Sequence, residues 1–153
     1  MRAVVQRVRS ASVTVNGEIV GSIGAGLLVL AGAEPEDTAT DVEWLASKVA
    51  NLRLFADASA PDGALDFSVR ESGGGILVVS QFTLFASTRK GTRPSWHRAA
   101  KPEVARPLYE ALITALTKAL GRPIQTGRFG KMMDVALVND GPITLILDTK
   151  ARE

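Results

Sequence analysis

Apolar and polar positions alternate in the N-terminal part of the chain as they do in a sheet with one wet face. Ala11, Val13 and Val15 alternate with Ser12, Thr14 and Asn16, and the apolar run Ala3–Val8 precedes them, so two strands are predicted. Asn16-Gly17 tolerates positive φ at both turn positions and predicts a hairpin into a strand over Glu18–Ile23. Gly24-Ala25-Gly26 then turns the chain into a second buried run, Leu27–Ala31. These glycines lie between strands and lack the strand-to-helix setting of a nucleotide loop, so they are turns.

The period lengthens over Pro35–Leu52. Val42, Leu45, Val49 and Leu52 form one helical stripe, and acids gather at the N-terminal end where the dipole favours them. Leu54-Phe55 starts a short strand, Asp57–Gly63 is a polar loop, and Asp66–Arg70 is a further strand. The stretch Gly74–Ala86 (GGILVVSQFTLFA) is the centre of the pattern. It reads as a buried strand, yet Ser80, Gln81 and Thr83 interrupt its apolar run. An unpaired buried hydroxyl or amide costs about 1–3 kcal/mol. Such groups are therefore either bonded into the fold or kept for a ligand. A second helix runs from Pro102 to Leu120 with Leu108, Leu112, Ala115, Leu116 and Ala119 on its buried face, stopped by Gly121 and Pro123. Two last strands, Val135–Val138 and Ile143–Leu147, are joined by Asn139-Asp140-Gly141-Pro142. Two helices among many grouped strands predict an α/β domain of packed layers with mixed or antiparallel sheets.

With 153 residues, the chain reads as one domain over residues 1–153 with a sizeable core. Cysteine is absent, which removes disulfides, thiolate metal sites and cysteine nucleophiles, and fits a reducing, intracellular setting. The N-terminus lacks the unbroken apolar core of a signal peptide, and no apolar run is long enough to span a membrane. A cytoplasmic protein without a membrane partner is expected.

Net charge is only +2, but it is unevenly placed: Arg89, Lys90, Arg93, Arg98, Lys101 and Arg106 face a single acid, Glu103, between Arg89 and Arg106. Such a segment attracts phosphates or is simply a solvated loop. The one histidine, His97, lies in that loop, and no G-x-S-x-G elbow, P-loop or dinucleotide fingerprint is present. One histidine and no cysteine leave too few ligands for a catalytic metal. An enzyme of this composition works by positioning and by backbone donors, on a substrate that is already reactive, and needs no cofactor. The Gly141-Pro142 bond can be cis at modest cost and would then form a rigid polar wall; a plain trans turn is the alternative.

Ser80-Gln81-Phe82-Thr83-Leu84 and Asn139-Asp140-Gly141-Pro142-Ile143-Thr144, with Gln6-Arg7-Val8 and Arg93-Pro94-Ser95, resemble the D-aminoacyl-tRNA deacylase family. The resemblance extends from Met1 to about Leu147, and includes Ala11-Ser12-Val13, the Gly24–Leu30 run and Gln125-Thr126-Gly127-Arg128-Phe129. It implies a three-layer β/β/α domain with mixed, largely antiparallel sheets and two main helices. It also implies a cytoplasmic homodimer that hydrolyses the ester between a D-amino acid and the terminal adenosine of tRNA, and clears mischarged glycine. In that picture Ser80, Gln81, Phe82 and Thr83 line the catalytic pocket. Gly141 and Pro142, as a Gly-cis-Pro pair, enter the other subunit's site and exclude L side chains, with Arg7 helping to hold them across the interface. Arg89, Lys90 and Arg93 meet tRNA phosphates, and Met133 is either a substrate-binding residue or core.

Thr83 is the obvious nucleophile, yet nothing in the sequence supplies a base to activate it. An RNA-assisted mechanism is preferred, in which the substrate's 2′-hydroxyl orients water and Thr83 positions the substrate. Two other readings remain, a catalytically silent binder of the tRNA acceptor end and a hydrolase of another activated ester using Thr83 with His97. The sequence departs from the family pattern at Trp96, at Gly130-Lys131 and at Leu65-Asp66.

Overall fold

The computed structural model describes residues 1–56 and 63–152, so the polar loop expected over Asp57–Gly63 lies, but for Gly63, outside the described residues. The two N-terminal strands are one strand, β1 (Arg2–Val15). Its two halves share a partner along one edge and use different partners along the other. Residues Ala11–Val15 pair with β2 (Glu18–Ile23) and Arg2–Val8 with β3 (Gly26–Gly32), both antiparallel. The opposite edge pairs almost throughout with β8 (Asp134–Asp148), also antiparallel. The register slips between Val8 and Ser10, leaving Arg9 as an extra residue on β1. A bulge of this kind sharpens the twist and lets one strand serve two layers. The hairpin after β1 forms as its turn residues predict, with Asn16 at φ 50° and Gly17 at φ 81°.

β3 pairs in parallel with β6 (Gly75–Ser80), and β6 in parallel with β7 (Gln125–Thr126). Parallel strands at the centre of a sheet bury both faces, which is why β3 and β6 read as unbroken apolar runs. Leu27, Val29, Ile76 and Val78 pack towards the helices. Leu28, Leu77 and Val79 pack the other way, against Val8, Ala11 and Val13 of β1. Two cores on opposite faces of one sheet make three layers, β on β on α. β2 folds back over β7 so closely that a Cβ on Gly21 would lie 2.5 Å from the Thr126 carbonyl oxygen. β4 (Arg53–Ala56) and β5 (Leu65–Ser68) form a separate two-stranded sheet; β5 is shorter than the strand expected over Asp66–Arg70.

Helix α1 (Ala39–Asn51) starts later than the Pro35 start expected of it. The Thr38 N–H donates to the Asp41 carboxylate at 2.9 Å and sets the first turn. Asp37 accepts instead from the Met1 ammonium and from the Glu34 N–H, which keeps the preceding residues in a separate turn. Helix α2 (Pro102–Leu120) has the limits its sequence predicts, and Gly121 closes it in the left-handed region at φ 73°. The buried Tyr109 hydroxyl donates to the Val78 carbonyl at 3.0 Å and fastens α2 to β6.

Two expectations are corrected. The central strand stops at Ser80, and Phe82–Phe85 is a 3-10 turn instead of its continuation. The segment from Asn139 to Pro142 is no hairpin loop, because the residues on both sides of it pair with the same strand, β1, in one direction.

Candidate functional site

The change of direction at Ser80 creates the site. At the end of β6 the Gln81 N–H donates to the Ala31 carbonyl at 2.7 Å, and the chain leaves the sheet in the 3-10 turn. β3 passes close beneath it. A Cβ on Gly32 would stand 2.6 Å from the Gln81 carbonyl oxygen, so only glycine allows this approach. The Gln81 side-chain amide donates to the Thr83 hydroxyl. Phe82 is 53% exposed and meets Trp96 edge-on at 5.6 Å. Thus Trp96, a departure from the family pattern, still supplies an aromatic neighbour. The first N–H groups of a helical turn have no partner within it, and those of Phe82 and Thr83 find no other acceptor among the described residues.

A cavity of about 270 Å³ opens beside this segment, with Ser80, Gln81 and Phe82 along one side and Tyr109, Phe129 and Gly130 among its other walls. The sequence reading missed Tyr109 and Phe129 as site residues. Tyr109 stands three positions before Leu112 and seven before Leu116 on the buried stripe of α2, so periodicity assigns it to the core. The signal available was its hydroxyl, which needs a partner when buried. Burial pushes that phenol up to about 12, so at neutral pH it is an uncharged donor. Tyr109 and Phe129 lie 5.7 Å apart and tilted, and the Arg106 guanidinium sits 4.6 Å over the Phe129 ring.

The second motif is a clamped bulge. Val8 pairs with Asn139 and Gln6 with Thr144, so Asp140–Ile143 stand opposite Arg7 alone. The Asn139 side-chain amide closes the neck by donating to the Arg7 carbonyl at 2.8 Å and the Ile143 carbonyl at 3.1 Å. Its oxygen accepts from the Thr144 hydroxyl at 3.2 Å. Arg7 donates to the Leu54 carbonyl at 2.5 Å, and its Nε is 3.1 Å from Asp140 Oδ2, near enough for an ion pair although the N–H is not aimed at the oxygen. Arg9 holds the other Asp140 oxygen at 3.3 Å. At the tip the Gly141-Pro142 peptide is cis and both residues are exposed.

The remaining candidates lie elsewhere. Met133 packs on the second core, and its sulfur accepts the Arg128 N–H at 3.3 Å; it is not in the cavity wall. Arg89, Lys90 and Arg93 are exposed in a loop closed by paired Ser87–Ser95 hydrogen bonds of 2.9 Å, and none is in an ion pair among the described residues. His97 Nδ1 lies 3.0 Å from the Ser95 hydroxyl. Leu65 and Asp66 are exposed on β5, whereas Gly130 is in the cavity wall. Among the described residues no group of three potential ligands could hold a metal ion, and no helix is long and apolar enough to cross a membrane.

The cavity, with the exposed Phe82 and the unpaired N–H groups beside it, is the candidate site, and comparison with known proteins places the chain in a family. The family model described as D-Tyr-tRNA(Tyr) deacylase matches residues 4–148. A D-aminoacyl-tRNA deacylase of Opitutus terrae is 59% identical over 153 residues, covering 100% of both chains. A solved structure titled c-Myc DNA Unwinding Element Binding Protein aligns with a TM-score of 0.88 and 43% identity, covering 97% of this chain and 98% of that one. A probable eukaryotic D-amino acid tRNA deacylase shares the fold, with a TM-score of 0.78 at 18% identity over 95% of this chain and 97% of the other. The chain belongs to the D-Tyr-tRNA(Tyr) deacylase family, and it is a hydrolytic enzyme.

Proposed function

We propose that the chain, acting as a single domain of residues 1–153, hydrolyses the ester between a D-amino acid and the 3′-terminal adenosine of tRNA. The observation that carries this reading is the cavity walled by Ser80, Gln81 and Phe82 in a chain that matches the deacylase family over nearly its whole length. Tyr109 and Phe129 offer aromatic surface against which a terminal adenine can stack. The ester then lies along the Ser80–Thr83 segment, where the free N–H groups of Phe82 and Thr83 donate to the oxyanion that forms when water adds to the carbonyl. The ester C–O bond breaks, the ribose 3′-oxygen leaves with a proton, and the free amino acid departs.

Thr83 positions the substrate and does not attack it. Its hydroxyl accepts from the Gln81 amide, no base among the described residues takes its proton, and the one histidine pairs with Ser95. The neighbouring 2′-hydroxyl of the substrate orients the water. Gly141 and Pro142, held out by Arg7, Arg9 and Asn139, form a wall that enters the site of a second copy and rejects L side chains by collision. Glycine has no side chain to reject, so glycyl-tRNA is also cleared. Arg89, Lys90 and Arg93 meet acceptor-stem phosphates. The second copy is a homodimer partner, docked through the outer edge of β8, where Val138 and Ile146 are exposed. The setting is the cytoplasm, and the reaction uses no cofactor.

Two substrates test the reading. Wild type should release D-tyrosine from tRNA and leave the L ester intact; equal action on both would defeat the chiral part. With a 2′-deoxy terminal adenosine the rate should collapse, while Thr83→Ala keeps part of its activity on the natural substrate. A dead Thr83→Ala beside a tolerated deoxy substrate would overturn the RNA-assisted mechanism.

A further inference from the structure

We propose that Arg106, held on the Phe129 ring, is the phosphate clamp for the last nucleotide of the substrate. The inference rests on the hydrolase reading above. Arg106 is on the first turns of α2, the helix that contributes Pro102, Ala105 and Tyr109 to the cavity wall. Its guanidinium lies 4.6 Å over Phe129, while the same ring meets Tyr109 at 5.7 Å. Phe129 is therefore held between a cation and a buried tyrosine that is itself tied to Val78. Within about 6 Å of a ring centre a cation is attracted by the π face. Among the described residues the Arg106 side chain has no hydrogen-bond or ion-pair partner, so its N–H groups are available to a ligand.

Among the described residues Arg106 makes no ion pair, whereas Arg98 in the preceding basic segment is 3.6 Å from Glu34. Arg106 is exposed, so its side chain is not required for the core. A nucleoside in the cavity carries one phosphate, on its 5′-oxygen, at the point where the RNA leaves towards solvent. A planar cation fixed on the cavity's aromatic wall suits that phosphate, which accepts two parallel N–H bonds. Arg106 would thus fix the register of the last nucleotide, and the exposed Arg89, Lys90 and Arg93 would meet the RNA further out.

The test compares substrates with and without that phosphate. Arg106→Gln should lower kcat/KM on D-tyrosyl-tRNA by about tenfold or more, the worth of one to two charge-assisted hydrogen bonds, through KM and with kcat nearly unchanged. The salt dependence of kcat/KM should flatten by about one unit of slope. On D-tyrosyl-adenosine, which has no 5′-phosphate, wild type and Arg106→Gln should be equal, and adding a 5′-phosphate to that ester should restore the difference. Arg106→Lys should recover part of the loss with the phosphate-bearing substrates. Equal loss on both substrates would make Arg106 a structural support of Phe129 and overturn the clamp, as would no loss on either. A wild type inactive on D-tyrosyl-tRNA would sink the hydrolase reading instead, so the two failures are distinguishable.

Discussion

Asp41 shows how much one side chain ties together. Its carboxylate accepts the Thr38 N–H that starts α1, and Lys150 Nζ lies 2.9 Å from both of its oxygens, linking the helix to the C-terminal segment. Burial acts to push this carboxyl up, but hydrogen bonds from Thr149, Lys150 and Thr38 and the nearby N-terminal charge outweigh it, and its pKa lies far below the usual carboxylate range. The folded-state value is below the unfolded value of about 4. The stabilisation is therefore complete at neutral pH and drains away as the pH falls below about 4. Asp41→Asn should cost on the order of 1–3 kcal/mol at pH 7 and flatten the acid side of the stability profile. Urea midpoints from pH 7 to pH 2 check both; an unchanged acid limb would count against the assignment. Gly32 is the corresponding residue for activity. Gly32→Ala puts a methyl where the Gln81 carbonyl stands, so the Ser80–Thr83 segment must shift. Misplacement of this kind costs about a hundredfold in rate. Deacylation assays with a thermal melt alongside would separate this from unfolding.

At the scale of elements, the neck of the bulge in β8 is closed by one amide, while Arg7 and Arg9 hold Asp140 within it. Asn139 bonds the carbonyls of Arg7 and Ile143 across its neck. Asn139→Ala leaves both carbonyls without that donor and should cost roughly 1–2 kcal/mol in stability. If Asp140–Ile143 present the wall that excludes L side chains, the same variant should act measurably on L-tyrosyl-tRNA. The ratio of D to L rates reads this directly, and an unchanged ratio in a destabilised variant would detach the clamp from specificity. The bulge was legible only as turn chemistry. Asn-Asp-Gly-Pro suits a tight reversal, and local sequence gives no reason to prefer a bulge. The choice is made by β1, which is long enough to pair with the residues on both sides. The same long-range pairing merges the two expected N-terminal strands into one.

For the whole molecule, β8 is paired along only one edge among the described strands. A strand fifteen residues long, paired on one side and carrying Ile146 at 72% and Val138 at 53% exposure, is a surface that a second copy would cover. Ile146→Lys should shift the protein to monomers in sedimentation and, if the Gly141-Pro142 wall belongs to the partner's site, remove chiral selection with it. A dimer that survives this change would place the interface elsewhere.

The chain's own order of residues determined what depends on near neighbours. The Asn16-Gly17 turn follows from two residues that accept positive φ, and α2 from a 3.6-residue apolar repeat between Pro102 and Gly121. The Ser80–Thr83 motif was visible as polar groups in an apolar run, and Asn139–Pro142 as a turn-forming sequence. Tertiary structure alone decided that Tyr109 and Phe129 share a cavity with Ser80, that Arg106 rests on Phe129, and that Arg7 lies beside the bulge. Those groups are distant in sequence, and their meeting depends on which strands pair and how the sheet bends, terms that no local window contains.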